Sequence, residues 1–478
     1  MAAEFTMRSP LEKLPFEVLG MMCAFLPRAD LKALRLVSRA FDGPSLSTLF
    51  RTVYLRVHLG SFEKLQTISR SEKLSKHVRY ISYDGRILDA STVSPDFAHW
   101  RANTACSGLF HLVDTDFLLQ KFSQEELHDF YQNYYQFLSD QQHMLKGDNE
   151  NRMLRDALQN LPRLLGVECM MPDLYEERHP YEPRPKVTWN SLSAVAQKIL
   201  AEPDSIHGEL ESARHFWALL QSACLAGHAE RLTHVRGEYM DLNCWHDAAA
   251  SSLANYHGSF SSLQHLSLIF RPHKGNLGGE ATHIVAIIAR APSLRSLLLS
   301  FEFRGEDDVM PFSELVGPDL QLHHLHSLSL NGLAMPEAHM RDGLRALRET
   351  LRSLELAYMV LHPGSCIRFI EFLSKEMTLD HVKFDSFFSN SSDERWVVRD
   401  EDYGPWPALA RVAARHSRKF LVDRVERFIT GRGKYPNPFT PRKKRGGDLE
   451  KYGYSLPWAF KQDKSWYHSD TLQLAGKW

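Results

Sequence analysis

The stretch LPFEVLGMMCAFLPRADLKALRLVSRAF, Leu14 to Phe41, decides how the chain is read. Val18, Leu19, Met22, Cys23 and Leu26 recur at helical spacing, and Pro27 closes the run. Pro15 suits the first helical position, where a missing N–H has no partner to lose. Glu17 suits the positive end of the helix dipole. Asp30 reads as the N-cap of a second helix carrying Leu31, Leu34, Leu36 and Val37. After the Gly43-Pro44 break a short third helix is expected over Ser45 to Phe50. Leucines fall on more than one face of each helix, and so short a segment buries too little surface to be stable alone. Its surplus apolar face needs a cover, supplied by the rest of the chain or by another protein.

Working outward, the run Leu14-Pro15, Glu17-Val18-Leu19, Phe25-Leu26-Pro27, Asp30-Leu31 and Leu34-Arg35-Leu36-Val37-Ser38-Arg39 to Phe41 closely resembles the F-box, the adaptor-binding module of SCF-type ubiquitin ligases. Leu49-Phe50-Arg51-Thr52-Val53 after it is similar to the F-box proteins of filamentous fungi. The resemblance implies a three-helix F-box over residues 1–51, a Skp-type adaptor as partner and, through it, a cullin. Leu14, Pro15, Leu19, Leu26, Leu31 and Leu34 are the apolar anchors expected to carry that contact.

Thr52 to Val57 alternates like a strand, Phe62 to Lys73 reads as a helix, and His77 to Tyr83 reads as a second strand. Short strand–helix–strand connections imply parallel pairing, so 52–83 is expected as a first repeat-like unit. Residues 84–227 are mostly helical by pattern, with helices over Gln124 to Leu145, Asn151 to Leu165, Asn190 to Leu200 and Glu209 to Leu225. They are expected as a helical insertion. The cluster Tyr131, Tyr134, Tyr135, Phe137 and Leu138 reads as a core stripe rather than a ligand-stacking surface.

Beyond the insertion a period sets in. Leu232-x-x-Val235, Leu263-x-x-Leu266-x-Leu268, Leu294-x-x-Leu297-x-Leu299, Leu325-x-x-Leu328-x-Leu330, Leu351-x-x-Leu354-x-Leu356 and Leu379-x-x-Val382-x-Phe384 share one frame. Their first positions lie 31, 31, 31, 26 and 28 residues apart, with helix-like segments between. This is the pattern of one strand and one helix per unit, stacked because no unit buries its apolar face alone. It resembles the degenerate leucine-rich repeats of fungal F-box proteins, placed here over 228–389. The expected architecture is therefore α/β: an irregular leucine-rich-repeat solenoid with parallel strands and outer helices, after the helical N-terminus. Residues 390–478 are expected to hold a capping helix, Trp406 to Phe428, and a basic and aromatic tail with the block Pro441-Arg442-Lys443-Lys444-Arg445.

Formal net charge is −1, so no global field favours nucleic acid or an anionic membrane. No apolar run is long enough for a membrane span. The opening MAAEFTMRSPLEK lacks a signal-peptide core, and six scattered cysteines form no C-x-x-C pair, so a cytoplasmic or nuclear location is expected. There is no P-loop and no G-x-S-x-G elbow, and His323, His324 and His326 alternate across a strand too much to gather a metal. No catalytic residue, metal or cofactor is expected. What remains is a surface. With the leucines turned inward, Arg236, Ser267, Leu298, Ser329, Glu355 and Lys383 form an outward row, flanked by His234, His265, Ser296, Ser327, Ser353 and His381. Such a mixture suits a protein target. The expected function is the substrate-recognition subunit of an SCF-type ligase, a non-catalytic role that works by proximity. Two other readings stand beside it. One is an interaction scaffold outside any ligase; the other is an enzyme whose site lies between Asp84 and Gly227.

Overall fold

The computed structural model describes residues 9–85, 87, 96–105, 122–170, 212–240, 260–270, 288–301, 322–390, 395–397 and 425–433. The chain divides after Leu232 into two compact units. The helix expected over 190–200, most of that over 406–428, and the basic block at 441–445 lie outside the described residues.

The first unit opens with three helices, α1 (Phe16–Ala24), α2 (Arg28–Val37) and α3 (Asp42–Leu49). Pro15 caps α1 instead of starting it. Its ψ of 150° is extended, so the helix begins at Phe16. Pro27 does the same for α2, with ψ 155°, which leaves Asp30 in the first turn, not at the cap. Gly43 and Pro44 are not a break either, because both lie in the first turn of α3, where proline loses no hydrogen bond. Cys23, Leu31 and Leu49 meet at the centre, with Leu26, Leu34 and Phe50 packed around them.

Next come β1 (Thr52–Arg56), α4 (Leu59–Arg70), the single turn α5 (Glu72–Ser75) and β2 (Tyr80–Asp84). After them stand α6 (Phe97–Ala105), α7 (Gln124–Leu145), α8 (Asn149–Leu158), β3 (Gly166–Met170) and α9 (Ser212–Leu225). β1, β2 and β3 pair in parallel, with Val53, Ile81 and Val167 on one rung and Leu55, Tyr83 and Cys169 on another. All six are buried, as are Phe62 and Leu65 of α4, Leu154 and Leu158 of α8 and Phe216 and Leu219 of α9. The region expected as a helical insertion therefore contributes a strand. Leu164-x-x-Val167-x-Cys169 carries the same frame as the later strands, and the α8 pattern ends at Leu158 because the backbone turns at Leu161 and Leu164 to enter β3. α7 spans the expected residues and starts with a capping box, Ser123 and Glu126. Its aromatic stripe is core only in part: Tyr134 and Leu138 pack with Trp100 and Leu127, Tyr131 and Phe137 pack against them partly buried, and Tyr135 is exposed because it lies on the far side of the helix.

The second unit is built on parallel strands β4 (His234–Met240), β5 (His265–Phe270), β6 (Ser296–Phe301), β7 (Ser327–Asn331), β9 (Ser353–Leu361) and β10 (His381–Asn390). A short β8 (Ala334–Met335) pairs with β9, and β11 (Arg395–Val397) runs antiparallel to β10. The leucines of the recurring frame are buried on every strand, as are Met340 and Leu344 of α10 (Glu337–Ala346) and Phe369, Ile370 and Leu373 of α11 (Cys366–Glu376). Buried Glu337 joins the two helices, accepting hydrogen bonds from Arg368 Nη2 at 2.9 Å and from the Ser365 amide at 2.9 Å. The molecule is thus α/β, with parallel strands and covering helices.

Candidate partner-docking surfaces

Helix α1 carries two apolar stripes. Leu19 and Cys23 form the inner one, which Leu26 continues just past the helix end, and Leu19 and Cys23 are buried. Val18, Met21, Met22 and Phe25 obey the i, i+3, i+4, i+7 rule on the other side and are all exposed, Met21 by 65% and Phe25 by 63%. α2 ends in Leu36 and Val37, exposed by 90% and 77%. Phe16 and Leu11 are also half exposed. Val18, Met21 and Met22 share one face of α1, and a contiguous exposed apolar face of that kind marks an interaction site. The named anchors divide. Leu19 and Leu31 are sealed in the unit's own core, Leu14, Leu26 and Leu34 are partly buried, and Pro15 is exposed. Met21 and Val37, which sequence reasoning left out of the contact set, are among the side chains the solvent reaches most. The signal was present: a helix whose apolar positions fill two stripes cannot hide both against one neighbour.

The three-helix unit is tied to the strands beside it. Asp42, at the head of α3, accepts from Arg35 Nε at 2.9 Å and from Lys73 Nζ at 2.6 Å. The hydrogen bonds from Lys73 and then Arg35 hold its carboxyl below the usual carboxylate range. The amides of Arg79 and Tyr80 both donate to the carbonyl of Arg51, in the turn between α3 and β1.

The second surface is a face of the sheet. Arg236, Ser267, Leu298, Ser329, Glu355 and Lys383 are successive rung partners from β4 to β10. The flanking residues His234, His265, Ser296, Ser327, Ser353 and His381 form the next rung row in the same order. All six members of the first row are partly exposed. Five strand spacings make the row about 24 Å long. Its ends are charged and internally paired: Arg236 Nε donates to Glu238 at 2.8 Å, and Glu355 lies 3.6 Å from His381 and 3.9 Å from Lys383. The His234 and His265 rings stack at 4.2 Å, and burial followed by the charge of Arg295 pushes the His265 pKa down. The middle, Ser267, Leu298 and Ser329, is uncharged.

Tyr83, Glu150 and His215 form the most buried polar cluster described. Tyr83 donates to Glu150 Oε1 at 2.8 Å, and His215 Nδ1 lies 2.6 Å from the same oxygen. His215 has no solvent exposure, so this cluster braces α8 and α9 on the sheet and presents nothing to a substrate. Among the described residues no group of three or more His, Cys, Asp or Glu is placed to hold a metal ion. Among the same residues, no helix is long and apolar enough to cross a membrane.

These features define an α/β protein of stacked parallel strands whose N-terminal helices expose large apolar side chains. No family model matches the chain, and no curated protein matches its sequence.

Proposed function

We propose that the chain is the substrate-recognition subunit of an SCF-type ubiquitin ligase. In this reading α1 to α3 are an F-box that docks on a Skp-type adaptor and, through it, a cullin. The strands from β4 to β10 are leucine-rich repeats whose aligned rows hold a target protein near the ubiquitin-loaded enzyme. The observation that carries it is the exposure of large apolar side chains on the N-terminal helices, Met21 on α1 and Leu36 and Val37 at the end of α2. Covering a side chain of that kind contributes about 1.5–3 kcal/mol before the costs of association, so a few such anchors suffice for a stable complex. The uncharged centre of the sheet row suits an apolar or hydroxyl-bearing peptide, and its charged ends set register.

The test is co-purification of the full chain with a Skp-type adaptor. Wild type is expected to retain the adaptor, and Met21→Asp with Leu36→Asp to lose it while its melting temperature is kept. Failure of wild type to bind, or undiminished binding by the double variant, overturns the proposal.

A further inference from the structure

A second feature of the N-terminal unit is charge. Residues 9–85 hold 12 Lys and Arg against 7 Asp and Glu, a formal +5, in a chain whose total is −1. Three cations of that excess, Arg51, Lys76 and Arg79, meet Arg163 from further along the chain at the start of β1 to β3. Arg51 precedes β1, Lys76 and Arg79 precede β2, and Arg163 precedes β3. The backbone stacks these turns on one another: the Arg79 amide donates to the Arg51 carbonyl at 2.8 Å, and the Leu165 amide to the Arg79 carbonyl at 2.8 Å.

The edge is rigid. Arg79 Nη1 donates to the Arg163 carbonyl at 3.3 Å, and Arg231 Nη1 donates to the neighbouring Pro162 carbonyl at 3.1 Å, so two arginines clamp one turn. The Arg51 guanidinium lies over the Tyr80 ring, 5.7 Å from its centre. Arg51, Lys76, Arg163 and Arg231 are exposed. Among the described residues none of the four, nor Arg79, has a carboxylate at ion-pair distance. The cations act on one another. Burial, then Arg163 and Arg51, lowers the pKa of Arg79; burial, then Lys76, Arg163 and Arg79, lowers that of His77. The carboxylate felt at His77 is Asp42, and both of its oxygens are already taken by Arg35 and Lys73.

We propose that the turns before β1, β2 and β3 form a docking surface for a carboxylate-rich segment of a protein partner. Three strands set it about 10 Å wide, the span of a few side chains of an extended peptide and too short to follow a duplex. Guanidinium forks match carboxylates in pairs. The ring that offers a stacking face, Tyr80, is covered by Arg51, which removes the platform that single-stranded nucleic acid uses. This surface is independent of the adaptor reading, because it holds whichever protein covers α1 and α2.

The test is fluorescence anisotropy of a labelled oligoglutamate peptide with the full chain, at low and high salt. Wild type is expected to bind, and more weakly as salt rises. Arg79→Glu with Arg163→Glu is expected to weaken binding by about tenfold or more, the scale of close charge pairs. Arg51→Glu with Lys76→Glu leaves both clamps in place and is expected to show a similar loss, so misfolding is separated from lost charge. Arg348→Glu, on the other unit, is expected to change nothing. Binding that is unaffected by either pair of reversals overturns the proposal. So does an oligothymidine of equal length that binds more tightly than the peptide and is lost in the same variants.

Discussion

Glu150 and His215 meet inside the first unit, Oε1 to Nδ1 at 2.6 Å, with Tyr83 donating to the same carboxylate oxygen at 2.8 Å. Three elements far apart in sequence, β2, α8 and α9, are joined at one oxygen. Breaking a buried pair by removing one partner costs about 3–5 kcal/mol. His215→Ala is therefore expected to lower unfolding free energy by that order in urea titrations. A loss below about 1 kcal/mol would show the cluster to be dispensable.

The same site sets an acid limit. Burial raises the Glu150 pKa, but the charge and hydrogen bond of His215, with the bond from Tyr83, outweigh it, so its folded pKa lies below the ordinary 4.5. A depressed carboxyl contributes stability above the unfolded pKa and loses it as pH falls through the folded one. Wild type is expected to lose stability below about pH 4.5, and Glu150→Gln to be weaker at neutral pH but flatter in acid.

A histidine adds a second window. His228 Nε2 lies 2.8 Å from the Leu158 carbonyl in a buried site. Burial is the main cause of a pKa below 6.5, against the opposing bond to Leu158. A lowered histidine stabilises the fold above its unfolded pKa, and that contribution fades as pH falls through 6.5 towards the folded value. Melting curves taken across that range are expected to drop for wild type and to drop less for His228→Gln.

Inner and outer leucines of the N-terminal helices should separate cleanly. Leu31→Ala empties a core site and is expected to cost about 2–5 kcal/mol. Leu36→Asp changes a side chain that is 90% exposed and is expected to cost under about 0.5 kcal/mol. Equal losses in thermal unfolding would mean that α2 is covered on both sides.

Gly364 marks a close approach in the second unit. A Cβ there would stand 2.5 Å from the Glu337 Cβ and 3.3 Å from its amide nitrogen. Gly364→Ala must push apart the loop and the head of α10, and with them the Glu337–Arg368 bonds. A loss of about 1–3 kcal/mol is expected, read by chemical denaturation; an unchanged midpoint would show that the loop yields freely.

Much of the strand arrangement was legible because its cause is local. Leucines two apart on a strand point the same way, and their recurrence at near-constant spacing places both rung rows, from Arg236 to Lys383 and from His234 to His381, on pattern alone. β3 escapes that pattern for the opposite reason. Its frame, Leu164-x-x-Val167-x-Cys169, stands alone between helices, with no equally spaced neighbour to reveal it. The split of α1 into a sealed stripe and an open one was half legible: two apolar stripes can be counted, but which one meets α3 depends on how the helices cross.

By itself the sequence determined the alternation of strand and helix, the buried leucines of each strand and the excess of apolar surface at the N-terminus. These are properties of neighbours within a few residues, where periodicity translates directly into a face. Only the tertiary structure decided that Leu19 and Leu31 are inside while Met21, Leu36 and Val37 are outside, that Tyr83, Glu150 and His215 share an oxygen, and that cations from three separate turns line one edge. Each of these depends on segments distant along the chain arriving together, and no local pattern encodes a meeting of that kind.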